Sequence, residues 1–354
     1  MSDEYKLKGT TLFDSDGSLF VNSITVKNIN VEGAGIGFGK SHGYAAGGIG
    51  PVTEIHKYAY ASDGNATDVG DLLPAKSGPT QNYLGAGVSS ISHGYAAGSY
   101  PGSPSGTVVD DTLIQKFPWA IADGSTGTKI GNTTLSGRYG YCGIMSTTTG
   151  FLAGGHPPHT NTIQSFSFAT DGDATNVGSL SQTRYHAAPG VSPTHGFIAG
   201  GTMATTGLPK FKLIETFPFV LSSGDVTVSN IGDLTQFVSA GQGASSSATH
   251  GYIHGGQTIP TPNGVGPPYG IDNDRIEKYS FATSADGVDV GNLTTTRYET
   301  AGSSSSTHGY SAGGRNPGLN NTIEKYPFAA DTNATDVGDL ANPATYSAAG
   351  NLQG

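Results

Sequence analysis

Cysteine, tryptophan and charge are all scarce in this 354-residue chain: one Cys, one Trp and 12 % charged residues. A lone thiol, Cys142, excludes an internal disulfide framework and any cysteine-rich zinc module. Seventeen Lys and Arg against 27 Asp and Glu give a formal net charge of −10. That balance repels phosphate backbones and acidic headgroups, so neither nucleic acid nor membrane insertion is expected. Nowhere do about 18 apolar residues run together, the length a membrane helix needs. The first residues (MSDEYKLK) are polar, so no signal peptide is expected and the protein is taken as soluble.

Long helices are excluded by punctuation. With 55 Gly and 19 Pro, only the windows 18–32 and 271–286 reach fifteen residues free of both. The first of these is rich in β-branched residues and reads as strand. The fold class expected is all-β.

What the chain does have is a repeat. A His-Gly-aromatic core leading to Gly-Gly recurs at 42–48 (HGYAAGG), 93–99 (HGYAAGS), 149–155 (TGFLAGG), 195–201 (HGFIAGG), 250–256 (HGYIHGG) and 308–314 (HGYSAGG). Each copy precedes an Ile with an aromatic three residues on, from Ile55/Tyr58 to Ile323/Tyr326, and then a Val/Ile-Gly pair at Val69, Ile130, Val177, Ile231, Val290 and Val337. A fourth apolar stretch, typified by 297–303 (RYETAGS), completes a unit of 46 to 58 residues. Four short strands in a unit of that size make one propeller blade, and six units make six blades. Ala and Gly at 86–87, 187–188, 240–241, 301–302 and 348–350 suit innermost strands crowded at an axis, whereas aromatics such as Tyr58 and Tyr60 suit the wider third strand.

Counting also predicts how the ring closes. In four of five cases 18 or 19 residues separate the Val/Ile-Gly position from the next repeat core, and Val337 plus 18 runs just past the final residue. The segment 345–354 is therefore expected to pair beside 42–48 and seal the sheet edges, with 33–41 as the competing candidate for that slot. The domains expected are a β attachment segment over 1–33 and a propeller over 34–354. In the first, strands at 11–13 and 19–26 flank an Asp-Ser-Asp-Gly turn.

An Arg-containing strand, a Gly-Gly strand, a strand with a central aromatic and an outer strand ending in Leu together resemble the kelch type of β-propeller over about 42–350. Kelch repeats carry an outer-strand Trp that is replaced here by Val or Ile, so the likeness is kelch-like. The NATDVGDL and THGY phrases also resemble propeller proteins encoded by bacteriophages of aquatic bacteria. That resemblance implies a structural protein of a virion, located at the phage particle surface, as a tail fibre or as capsid or tail decoration serving host recognition. Its partners would be other virion proteins through 1–33, a host-surface glycan or protein, and further copies in a homo-oligomer within a particle.

Catalytic and metal motifs are wanting. His42, His93, His195, His250 and His308 stand one per blade, too far apart to share an ion at ~2 Å ligand distances. They read as strand-start histidines bonded to adjacent backbone. Cys142 beside Tyr139 and Tyr141 invites comparison with kelch-type copper oxidases, but it reads as a buried thiol because the sequence offers no suitable pair of histidines. The Asp-Gly turns at 63–64, 123–124 and 171–172 lack calcium-loop spacing and read as hairpins. No nucleophile elbow, HExxH helix or phosphate loop occurs. No catalytic residue, metal or cofactor is expected.

Length variation is confined to one connection. From the Gly-Gly position to the following Ile the interval is 7, 15, 8, 13, 20 and 9 residues, against 14 to 17 from that Ile to the Val/Ile-Gly strand. This second-to-third-strand connection emerges on one face, where Tyr100, His156, His159, Tyr269, Asp272, Asp274 and Arg315 form the candidate binding set. The function expected is non-enzymatic recognition or cover by that face. Two alternatives are a kelch-type protein-interaction scaffold and an enzyme acting on glycans, the latter needing convergent groups at the axis where Ala, Gly, Ser and Thr stand instead.

Overall fold

In a computed structural model the residues described are 6–7, 10–11, 41–47, 53–74, 85–98, 110–202, 211–220, 225–239, 243–258 and 270–342. Those from 41 onward form a six-bladed β-propeller whose successive blade strands pair antiparallel, and the described residues include no helix. Blade 1 has three described strands, His42–Ala46, Glu54–Ala59 and Thr67–Asp71. Blades 2 to 6 each have four in chain order from the axis outward, and short strands extend two of these sheets at the outer edge, Val226–Thr227 on blade 3, and Gln257–Thr258 with Ile271–Asp272 on blade 4. Blade 6, for instance, runs Ala301–Ser304, His308–Ala312, Thr322–Pro327 and Thr335–Asp339. Two units divide the chain, Met1–Ala34 and Gly35–Gly354. In the first, Lys6–Leu7 pairs with Thr10–Thr11, upstream of the expected turn. The expected strands beyond Thr11, and both candidates for the slot beside blade 1 apart from Ser41, lie outside the described residues.

Each repeat core is a second strand. Its apolar positions are buried because both faces of a blade press on neighbours. The turn that leads into it is capped by a serine three residues before the strand. Ser90, Ser192, Ser247 and Ser305 accept the backbone N–H of His93, His195, His250 and His308, and Ser146 accepts that of Thr149. The strand-start histidines are held by a hydroxyl rather than by backbone. Nδ1 of His42, His93, His195, His250 and His308 shares a 2.7–2.8 Å hydrogen bond with the Ser or Thr just before it. The inner strand of blade 5 is Gly243–Ser246 rather than the expected 240–241, which lie outside the described residues. Its place fits the other blades, each inner strand starting seven residues before the repeat core.

Four devices recur at all six seams between blades. The aromatic of each second strand lies against one just beyond the next blade's third-strand aromatic: Tyr44 with Trp119, Tyr95 with Phe168, Phe151 with Phe219, Phe197 with Phe281, Tyr252 with Phe328, and Tyr310 with Tyr60, at centroid distances of 4.4 to 5.7 Å. The Gly of each Val/Ile-Gly pair lets the outer strand touch the next blade's turn. A Cβ there would strike the carbonyl oxygen of Ser125, Gly172, Val226, Ala285, Thr332 or Gly64. Next to it the two backbones bond directly, as in Ala174 N–H to Asn132 O at 2.8 Å and Ala66 N–H to Asp339 O at 2.7 Å.

The fourth device is a latch that the sequence reading did not anticipate. The residue after each third-strand Ile accepts a backbone N–H from the preceding blade, four residues past the Val or Ile of its Val/Ile-Gly pair. The pairs are Leu73 to Gln115, Thr134 to Gln164, Ser181 to Glu215, Thr235 to Glu277, Thr294 to Glu324 and Ala341 to His56. Blade 6 thus meets blade 1 as every other pair meets, and the ring closes among the described residues.

The axis is packed. The last residues of the described inner strands, Ser89, Met145, Val191, Ser246 and Ser304, are no more than 2 % exposed. Val191 N–H donates to Ser246 Oγ and Ser246 N–H to Ser304 Oγ, which ties neighbouring inner strands together. Cys142 lies in this layer, its thiol pushed up to about 12 by burial.

Candidate functional site

In an antiparallel blade the second-to-third-strand connection shares a face with the crossover to the next blade. Three crossovers carry an Arg-Tyr-x triplet, at 138–140, 184–186 and 297–299. Each Tyr forms a two-way backbone bridge with the residue after a Gly-Gly pair: Tyr139 with His156, Tyr185 with Thr202 and Tyr298 with Arg315. The third triplet residue is left-handed, φ 65° at Gly140, 54° at His186 and 57° at Glu299. Glycine adopts that conformation freely, whereas His186 and Glu299 do so against a cost of about 1 kcal/mol or more.

The latch residue decides where the triplet's arginine goes. Where it is glutamate, the guanidinium turns inward. Arg184 pairs with Glu215 and Arg297 with Glu324, each ion pair almost wholly buried and supplemented by backbone carbonyls such as Gly200 O and Gly313 O. In blade 3 the latch is Gln164, which offers no charge. Arg138 instead reaches outward and donates to the carbonyl of Pro158, anchoring the connection that carries His156 and His159.

The result is a cluster of rings between blades 3 and 4. The centroids of His156 and His159 are 4.4 Å apart, those of Tyr185 and His186 4.4 Å, and Tyr185 stacks on His156 at 5.0 Å. Tyr139 stands edge-on to His156 and to Tyr185. Burial sets the protonation states. It lowers His156 to about 4, helped by the charges of His159 and Arg138, and lowers His186 to about 3, helped by His156. His159 is lowered by burial and by Arg138. The Tyr185 hydroxyl is pushed up to about 12 by burial and by Glu299. At neutral pH the His156 and His186 rings and the Tyr185 hydroxyl are uncharged, with the charges of Arg138 and Glu299 close by.

Of the predicted set, the fold brings His156 and His159 together. Arg315 joins a different triplet, its guanidinium 5.2 Å from the Tyr298 ring centroid and 4.0 Å from the Glu299 carboxylate. Asp272 lies in the short strand Ile271–Asp272, paired with Gln257–Thr258, and accepts the Gln257 amide at 2.9 Å. Asp274 precedes the third strand of blade 5, its carbonyl accepting Leu293 N–H. Tyr100 and Tyr269 lie outside the described residues. The sequence reading missed Tyr139, Tyr185 and His186 as neighbours of His156. The signal that could have found them is the threefold Arg-Tyr-x triplet, whose third residue is glycine only once. Among the described residues no three His, Cys, Asp or Glu side chains gather as metal ligands would. No helix among them is long and apolar enough to cross a membrane. No protein family description matches this chain, and no curated protein is significantly similar to it in sequence.

Proposed function

We propose that this chain is a non-enzymatic recognition protein that binds its target through the face carrying the second-to-third-strand connections. The observation that carries the reading is the ring cluster of Tyr139, His156, His159, Tyr185 and His186. It offers aromatic edges, neutral imidazoles and one guanidinium, a chemistry suited to holding a sugar or a peptide. The packed axis adds support, since Ser89, Met145, Val191, Ser246 and Ser304, the last residues of the described inner strands, include no acid or base. On this reading the propeller is mounted on a bacteriophage particle through residues 1–33, in keeping with the phage and kelch-like resemblances of its repeats. There it serves host-surface recognition or covers a tail or capsid.

The test has two arms. Particles labelled at the N-terminus and viewed by electron microscopy should carry the label in symmetric array, and purified particles should contain the chain. Binding of the purified protein to host-surface polysaccharide should fall at least tenfold on Tyr185→Ala. Absence from particles, with capture of soluble host proteins alone, would favour the interaction scaffold that the propeller fold equally suits. Polysaccharide cleavage that vanished in Asp272→Asn or Asp274→Asn would establish the enzyme instead.

A further inference from the structure

Five of the six seam latches accept their N–H with the side-chain oxygen of Gln or Glu, and the sixth uses a ring nitrogen. His56 is fully buried, and its Nδ1 accepts the Ala341 N–H at 3.2 Å where blade 6 meets blade 1. Its Nε2 lies 3.1 Å from a Glu54 carboxylate oxygen. An amide or carboxylate oxygen keeps a lone pair across the physiological range. A ring nitrogen accepts only while unprotonated, and once protonated it would point an N–H at an N–H. We propose that His56 makes the seam between blades 6 and 1 an acid-releasable clasp, while the other five seams hold.

The groups around the ring are few. Glu54 lies on its own strand, and Asp68 stands opposite in the outer strand of blade 1. The second strand faces it with Ala45, and blade 6 presents the Ala341 N–H. Burial is the largest influence and lowers the His56 pKa, while Glu54 and Asp68 pull it back up. A depressed histidine contributes stability that is complete above its unfolded value of about 6.5 and is lost as pH falls toward the folded value. The seam therefore loosens on acidification and re-forms on neutralisation.

His254 and the strand-start histidines do not imitate this clasp. His254, buried at the seam between blades 5 and 6, shares its Nδ1 bond with the Tyr326 hydroxyl. The strand-start histidines share theirs with Ser or Thr. A hydroxyl can turn from donor to acceptor when the ring gains a proton, but a backbone N–H cannot.

Hydrogen exchange of the full chain, read by mass spectrometry between pH 7.5 and 4.5 and corrected for intrinsic rates, tests the proposal. The peptide containing Ala341 should lose protection at least tenfold, and first, while those containing Leu73, Thr134, Ser181, Thr235 and Thr294 keep theirs. His56→Gln installs the latch used at Gln115 and Gln164 and should abolish the selective loss. Glu54→Gln removes a charge that favours the protonated ring, so the onset should move to lower pH. Equal loss at all six latches, or selective loss persisting in His56→Gln, would overturn the clasp. If His56→Gln fails to fold, the wild-type comparison among the six peptides decides alone.

Discussion

On one face of the propeller, the turns into the second strands of blades 2 to 6 repeat a single solution, a serine capping the N–H of the strand's first residue. On the opposite face, the connections out of those strands vary from 8 to 20 residues in the interval that spans them. The same six sheets support both. The difference shows where the fold has slack. A first-to-second-strand turn must hold the inner strand at a crowded axis, whereas a second-to-third-strand connection joins strands already held by their own ladder and can lengthen without moving either.

The seams mark the stability-determining end of that contrast. Arg184→Met leaves the Glu215 carboxylate buried without its cation and should cost about 3–5 kcal/mol. Pairing it with Glu215→Gln should recover much of the loss, as denaturant unfolding of the three variants would show. Gly131→Ala places a methyl against the Gly172 carbonyl of the next blade. A destabilisation of about 3 kcal/mol is expected by thermal unfolding, and a value under about 1 kcal/mol would mean that the seams yield more than their geometry suggests.

The uniform face should respond less. Ser247→Ala removes one cap from a turn whose histidine keeps the Thr249 hydroxyl, and should cost about 1 kcal/mol. Weakest is the variable face. Asp272→Asn should stay within about 0.5 kcal/mol of the parent. Tyr185→Ala should instead register in titration. With the ring that buries it gone, His156 should rise from about 4 toward the ordinary histidine value in proton NMR, whereas His250 on the opposite face should not move.

Much of this architecture was legible in the sequence because periodic features write themselves six times. The Gly-aromatic pair of each second strand, the third-strand aromatic and the outer-strand glycine each recur, and their order gave blades, strand count and faces. The latch recurs as well, yet it went unread because His56, Gln115, Gln164, Glu215, Glu277 and Glu324 differ in type. They share only an acceptor atom, and an acceptor aimed at backbone of the preceding blade has no partner visible along the chain. The site was half legible for a related reason. His156 and His159 stand in a variable connection and attract attention, whereas Tyr139 and Tyr185 sit in crossovers that resemble ordinary repeat. At position 164 the latch is Gln rather than Glu, and the outward-turned Arg138 then anchors the connection that carries His156 and His159 beside these tyrosines.

Cys142 is 1 % exposed and its thiol is held far from the ionised form. Reagents that attack thiolate will find it inert for as long as the inner layer stays shut. The chain thus carries a built-in clock. The pace at which a chromogenic disulfide is cleaved by this one thiolate counts the openings of blade 3, needing no engineered residue.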